Sequence, residues 1–449
     1  LSVDYRVLAV TLVLSVATGI LFGLIPAAHV ARLDLNDALR DGSRGQSGGL
    51  TRRRGRALLV ITEMALAVLL VIGAGLTIRS FINLQHIDAG FDSRNVLTLR
   101  LSLPSVRYPM PDDVAGFYQR LADQMRVLPG VQAAGFVRQL PLATEIGDSG
   151  MEIDGKPTPA GEPGRSADWQ VVTPGYLEAM KERLVKGRFF DATDAPDGRA
   201  VIAINETLAR EYFPGEDPLG QRIRVGGPTN TWRTIVGVIG DVHHNGLTTP
   251  VKRKWFIPHA QWGNLFGSPR RAMTLAVRTA GDPRAVLAPV TALVNRLDPD
   301  LPVTRVAMMS EVLAEATQEQ RFTMALMAGF ALLALALAAV GIYGVISYSV
   351  SQRTREIGIR LALGAERGTV RSLVLRQGMT PAVVGIATGL GGAALLTRYL
   401  RTMLYGVAPL DRLTFGTIPV LLLVVAACAV ILPARRASSV EPVEALRHD

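Results

Sequence analysis

Uncharged runs divide this chain. Residues 323–352 contain no Asp, Glu, Lys or Arg, more than the about 20 residues that a helix needs to cross a bilayer. Residues 7–31, 377–397 and 413–434 are likewise uncharged, and 57–78 is interrupted only by Glu63. Each reads as a spanning helix. Between 80 and 321 the pattern changes to that of a soluble α+β domain. Residues 95–103 (NVLTLRLSL) alternate as a strand does. Val114, Phe117, Tyr118, Leu121, Met125 and Leu128 share one helical face before Pro129 and Gly130 stop the helix. The stretches 222–225 and 232–238 read as a hairpin about Gly226, Gly227 and Pro228. Asp282 and Pro283 are an N-cap and first-turn pair opening a helix to about Leu297.

The charged segments orient these runs. The stretches 29–56, 351–376 and 435–449 hold 16 Arg, whereas the short loop 398–412 has three. Cytoplasmic loops carry the Lys/Arg excess, so the first three are placed inside and the long domain outside. The end of the first run also recurs. Residues 25–41 align without gaps on 432–448: Pro26 with Pro433, Asp34 with Glu441, Asp37 with Glu444, and Ala-Leu-Arg at 38–40 with Ala-Leu-Arg at 445–447. At the same offset Asp4 falls on Asp411. A repeated ending implies an internal duplication. Residues 1–41 are thus expected to be the last spanning helix and cytoplasmic tail of an upstream copy. The first residues do not read as a signal peptide, having no charged segment before the apolar run and no cleavage site after it. The Gly/Ser-rich 42–56, with its basic foot at 52–56, is expected to be a cytoplasmic linker. The rest divides into a first spanning helix (57–79), an outer domain (80–321), a second helix (322–350), a basic cytoplasmic segment (351–376), a third helix (377–397), an outer loop (398–412), a fourth helix (413–434) and a cytoplasmic tail (435–449). The third helix carries Gly378, Gly385, Gly389, Gly391 and Gly392, and with the fourth offers small-residue surfaces for close packing.

The segment after the longest run is the most informative. RTREIGIRLALGA (353–365) puts Ile357, Leu361 and Ala365 at i, i+4, i+8 of a helix, with Ile359 and Leu363 expected to extend that apolar face. Arg353, Glu356, Arg360 and Arg367 fall elsewhere. A short amphipathic helix at the cytoplasmic mouth of a bundle is a handle for a partner. The run resembles the cytoplasmic signature of the MacB/FtsX family of ABC transporter permeases. The outer domain resembles the MacB-type periplasmic core in LPGV (128–131), VTPGYL (172–177), GRFF (187–190), NETLAREYFP (205–214) and DPLG (217–220), so the likeness covers essentially the whole chain. It implies an α-helical membrane protein with a large α+β periplasmic domain between the first and second helices of a four-helix unit, in the bacterial inner membrane. It also implies mechanotransmission: an ATPase subunit binds ATP and moves the segment containing Arg355, Glu356, Gly358, Arg360, Gly364 and Ala365. Of these, Glu356 and Arg360 are expected to make polar contacts, while the glycines allow close backbone approach. The two long helices would carry the motion to the periplasmic domain for export or efflux. The implied partners are that ATPase, the bilayer, a second permease copy (the upstream half of the same chain or a homodimer mate) and, for efflux, a periplasmic adaptor. A second hypothesis is a non-transporting scaffold or signalling protein controlling periplasmic enzymes or lipoproteins.

Composition agrees with a membrane protein: 49% hydrophobic and only 19% charged residues. The net charge of +10 raises nucleic acid as a partner, but residues 80–321 hold 27 basic and 27 acidic residues, leaving the excess of 21 over 11 beside the apolar runs. The excess is topological, and nucleic acid is set aside. A phosphate-binding GxxxxGK[ST] loop, HExxH, zinc spacings and GxSxG are absent, so no enzyme activity or cofactor is expected on this chain, and ATP is expected on the partner. The single cysteine, Cys428, rules out an internal disulfide and is expected to be buried in a helix. Glu63 lies inside a spanning run, where a carboxylate is costly. It is a proton or substrate site or, as we prefer, pairs with a neighbouring helix or reaches toward the arginines at 52–56. His243 and His244 read as a polar turn before Asn245 and Gly246. Trp169, Trp232, Trp255 and Trp262 read as scattered core residues, and the Asn205–Thr207 glycosylation sequon as incidental.

Overall fold

The computed structural model describes residues 48–159, 161–363, 365–399, 404–408 and 410–439, together with 5, 9–13, 15 and 16. The upstream helix and tail expected at 1–41 thus lie almost wholly outside the described residues, as do 440–449 of the matching tail.

In chain order the elements begin with helix α1 (Gly48–Gln85), followed by β1 (Val96–Ser102), α2 (Pro111–Arg126), β2 (Val131–Val137), β3 (Asp148–Ile153) and β4 (Ser166–Val172). Then come α3 (Tyr176–Met180), β5 (Leu184–Gly187), β6 (Val201–Asn205), α4 (Glu206–Tyr212), β7 (Arg222–Val225), β8 (Arg233–Ile239) and β9 (Lys254–Pro258). After a short 3-10 turn follow α5 (Trp262–Phe266), β10 (Ala272–Thr279), α6 (Leu287–Leu297), β11 (Thr304–Met308) and α7 (Met309–Ala316). The chain closes with α8 (Gln318–Gln352), α9 (Thr354–Ala362), α10 (Arg367–Leu396) and α11 (Arg412–Ser438). Among the described residues four helices are long and apolar enough to cross a membrane: α1, α8, α10 and α11. The β-rich domain sits between the first two, as expected.

The spanning helices outrun their apolar stretches. α1 has 38 residues and α8 has 35, about 57 and 52 Å at 1.5 Å per residue, against a hydrocarbon core of about 30 Å. Residues 48–56, read as linker, are therefore helical. Gly55 costs only about 1 kcal/mol in a helix, no proline intervenes, and the backbone bond ladder continues. Residues 367–376, assigned to the basic segment, likewise form the first turns of α10.

The chain divides into two compact units. One holds Leu1–Ile72, Ala331–Leu395 and Arg412–Asp449, the membrane helices. Glycine governs its packing. A Cβ on Gly389 would lie 2.8 Å from the Ala65 carbonyl oxygen and 2.7 Å from Val68 Cβ, and one on Gly385 would lie 2.7 Å from the Ile61 oxygen. α10 thus presses its backbone onto α1, a small-residue contact of the kind that substitutes for hydrophobic driving force in lipid. Ala338, Ile342, Leu422, Ala426 and Val430 are buried in the same bundle. Leu332, Leu333, Leu337, Val420 and Val424 are exposed on its outside, the arrangement expected of side chains meeting acyl chains. Cys428 is also exposed rather than buried, since its turn of α11 faces outward.

The other unit holds Gly73–Phe330 and Leu396–Asp411. Its sheet runs β11-β1-β10-β2-β4-β3-β7-β8-β6-β9, and β4 also pairs β9, closing the last six strands into a ring. The β4–β9 and β6–β8 pairs are parallel. β7 and β8 form the predicted hairpin, Ile223 opposite Arg233. Leu97, Leu99 and Leu101 of β1 pack against Val114, Phe117, Tyr118, Leu121 and Met125 of α2 and Val290 and Val294 of α6, so the alternating and helical patterns meet in one core. Ile202, Ile204, Ile223, Val225, Trp255 and Ile257 fill the ring. The upper end of α1 is tied to the 398–412 loop by the Arg79–Asp411 ion pair, the Asn83 Nδ2 bond to the Gly406 oxygen (3.0 Å) and the Tyr405 N–H bond to Ser80 Oγ (2.8 Å).

Candidate functional site

The segment singled out from the sequence forms α9. Its first residue is tied back to α8, Thr354 Oγ1 donating to the Val350 and Ser351 oxygens, and the helix opens with the Ile357 N–H bond to the oxygen of its N-cap Arg353 (2.9 Å). Ile357 and Gly358 are buried against the bundle, and Leu361 is half-buried. Arg360 donates to Glu356 Oε1 at 2.6 Å, an i,i+4 pair with both side chains 49% exposed. Such a pair adds about 0.3–0.5 kcal/mol to the helix and no more. The apolar face is narrower than expected. Ile359 is 43% exposed and Leu363 83%, because 359 and 363 lie on the side opposite Ile357, Gly358 and Leu361, the side that reaches the bundle. Ala365 is half-buried and its N–H bonds the Arg360 oxygen (3.0 Å), closing the helix. Arg355 lies on α9, and Gly364 is outside the described residues.

Around this end the basic feet of the helices are fixed by polar contacts. The Arg56 guanidinium lies 4.2 Å from the centre of the Tyr348 ring, Arg436 donates to the Tyr343 hydroxyl at 3.0 Å, and Arg371 Nε donates to Ser438 Oγ at 2.9 Å. The arginines that set topology in the sequence thus also hold α1, α10 and α11 to their neighbours. Glu63 packs on α8: a Cβ at Gly341 would overlap its carboxylate. The carboxylate occupies the space that a missing side chain leaves on the neighbouring helix.

The β-rich unit holds buried polar groups that the sequence did not suggest. Three of the four tryptophans come together. Trp169 stacks on Trp262 (5.0 Å between ring centres, 10°) and on Trp255 (5.9 Å, 22°), with the Arg138 guanidinium 3.5 Å above Trp169. They looked scattered because only the parallel register of β4 with β9 sets Trp169 beside Trp255. Near them Asp168, Glu182, His244 and Lys254 are all buried. Burial, followed by the hydrogen bond with Asp148, raises the Asp168 carboxyl to about 6. Burial raises that of Glu182 to about 7. Burial, then the positive charges of Lys254 and Arg138, pushes His244 well below the usual imidazole range. His244 is therefore a neutral core residue near Gln170 and not part of a surface turn. Asn245 does turn, but inward, donating to Asp168 Oδ2 at 3.0 Å. Asn205, the sequon residue, is buried and caps α4 by accepting the Leu208 N–H. Among the described residues no His, Cys, Asp and Glu group has the arrangement of a metal site.

Comparisons with known proteins agree with this architecture. Residues 328–442 match the FtsX-like permease C-terminal family and residues 59–293 the MacB-like periplasmic core domain. The uncharacterized ABC transporter permease YknZ of Bacillus subtilis (strain 168) is 28% identical over 62% of this chain and 69% of its own length. The macrolide export ATP-binding/permease protein MacB of Agrobacterium fabrum is 28% identical over 59% of this chain and 41% of that protein. The probable syringafactin export ATP-binding/permease protein SyfD of Pseudomonas syringae pv. tomato is 26% identical over 62% and 42%. The match thus spans less than half the length of these two ATP-binding/permease relatives. Among solved structures, the periplasmic region of MacB from Actinobacillus actinomycetemcomitans covers 52% of this chain and 97% of that one, at 13% identity and a TM-score of 0.35.

Proposed function

Because the chain belongs to the MacB/FtsX-type family of ABC transporter permeases, we propose that it is the permease of an export system driven by an ATPase on a separate subunit. The observation that carries this reading is α9, a short helix lying within the FtsX-matched residues. It hangs on buried Ile357 and Gly358 and leaves Ile359, Leu363 and the Glu356–Arg360 pair open on its outer side. An outer face with two apolar side chains beside an ion pair suits a partner protein's groove better than water. In this reading ATP binding displaces α9, and α1 and α8, each longer than a membrane is thick, carry the displacement to the β-rich domain. That domain lies in the periplasm and the four helices in the bacterial inner membrane, next to a second permease copy and, for efflux, an adaptor. The relatives named for macrolide and syringafactin export support export as the class of reaction.

The test is affinity purification of the full-length protein from its native membrane, followed by mass spectrometry. Recovery of a MacB-type ATPase is the expected result. An intact membrane complex without any ATPase overturns the proposal and leaves the protein a scaffold for periplasmic enzymes or lipoproteins.

A further inference from the structure

The four strands β11-β1-β10-β2 pack one face on α2 and α6. Because side chains alternate along a strand, Thr98 and Arg100 project from the opposite face to Leu97, Leu99 and Leu101. On that opposite face a cleft of about 530 Å³ opens, lined on one side by residues 139–144 and on the other by α7. Arg100 and Arg305 both line it. Among the described residues neither guanidinium has a hydrogen bond or an ion pair, although Arg100 is half-buried. A partly desolvated cation without a partner is unfavourable by itself. Gln139 contributes a buried side-chain oxygen that also lacks a partner. Turned over, that amide would offer two N–H donors in its place.

The backbone is strained at the same place. Thr98 lies opposite Ala307 and Arg100 opposite Thr304, so β11 carries one extra residue, a bulge. Arg305 occupies it with φ 47°, the left-handed conformation that such bulges ordinarily reserve for glycine. Leu142, which also lines the cleft, has φ 65°. Among the described residues the other left-handed non-glycine residues are Asn95, a residue type that tolerates the conformation, and Lys181, the terminal cap of α3. The two that neither excuse covers are both here. Strain of this kind persists where a side chain is required at a position, and it collects at ligand sites.

We propose that this cleft binds an anion, a phosphate or carboxylate group, clamped between Arg100 and Arg305, with Leu142 and Val312 receiving an apolar portion where the ligand has one. Two guanidiniums are suited to bidentate recognition of either oxyanion. The single carboxylate in the lining, Glu315, leaves the cleft with a net positive charge. The site is independent of coupling to an ATPase, and its readout is binding.

The experiment is isothermal titration of the full chain in a maltoside detergent with inorganic phosphate, hexyl phosphate and hexanol. Hexyl phosphate is expected to bind and hexanol not to. Inorganic phosphate binding as tightly as hexyl phosphate identifies a free anion as the ligand, and a marked preference for hexyl phosphate identifies an anionic amphiphile. Arg305→Gly suits the left-handed bulge, so its melting temperature should equal or exceed that of the parent while affinity falls about tenfold or more, the loss expected for a charged hydrogen bond. Arg100→Met, which keeps the apolar stem, should weaken binding similarly. The proposal is overturned if both variants bind like the parent, if hexanol matches hexyl phosphate, or if the parent does not bind hexyl phosphate.

Discussion

At the scale of single residues, the most consequential groups are those whose environment contradicts their chemistry. Glu182 is one. In the unfolded chain its carboxyl ionises near 4.5, and in the folded domain only near 7, because burial opposes the charge. Between these values the folded state holds a proton that the unfolded state has lost, so the stability due to Glu182 falls as pH rises across that window and stays low above it. His259, depressed to about 4 by burial, acts in the opposite sense, since stability is lost as pH falls below the usual imidazole range. The clean comparison is therefore with Glu182→Gln. The melting temperature of wild type minus that of the variant should be larger at pH 5 than at pH 8, and a difference independent of pH would refute the assignment. Nothing in the local sequence KERL announces this residue. Glu182 becomes unusual only when Tyr176 and Lys254 close over it, and Lys254 comes from a strand 72 positions away.

At the scale of elements, α9 and the α1–α10 contact make separate predictions. Arg360→Glu removes an ion pair worth about 0.3–0.5 kcal/mol and sets like charges at i,i+4. Membrane insertion and stability should therefore change little while co-purification of an ATPase is lost. Leu363→Asp should do the same without touching the ion pair, because Leu363 is largely exposed. Unchanged ATPase recovery in both variants would remove α9 from the coupling role. Gly389→Leu forces a side chain into backbone and should destabilise the bundle by about 1–3 kcal/mol, read as a lower melting temperature in detergent. Gly391→Leu, with nothing within 4 Å of its Cβ direction, serves as the control. The sequence marked the glycines of α10 as a packing surface without saying which ones pack. Only the crossing with α1 separates Gly385 and Gly389 from Gly391. For α9 the helix was legible from its spacing, but its buried face was not, since one short helix offers several apolar sides and the bundle uses only one.

At the scale of the whole molecule, the arginine distribution predicts that the β-rich domain and α9 lie on opposite sides of the membrane. In a Cys428→Ala background, a cysteine at Val106, which is 94% exposed, should react with a membrane-impermeant maleimide in cells whose outer membrane has been opened. A cysteine at Leu363 should react only after the inner membrane is disrupted. Equal labelling at both positions would refute the topology. What depends on near neighbours along the chain could be read from the residues alone. The four apolar helices, the alternation of β1, the amphipathic face of α2 and the β7–β8 hairpin all follow from local periodicity, because burial in lipid or core selects the same spacing wherever it occurs. The family likeness was legible for the same reason, being carried by short contiguous runs. Tertiary structure alone decided what depends on distant segments: the closing of β4 on β9, the tryptophan stack beside Arg138, the buried Glu182 and Lys254, and the bulge that holds Arg305 over a cleft. Those features arise from register between strands far apart in sequence, and no local pattern encodes which distant strand will supply the neighbour.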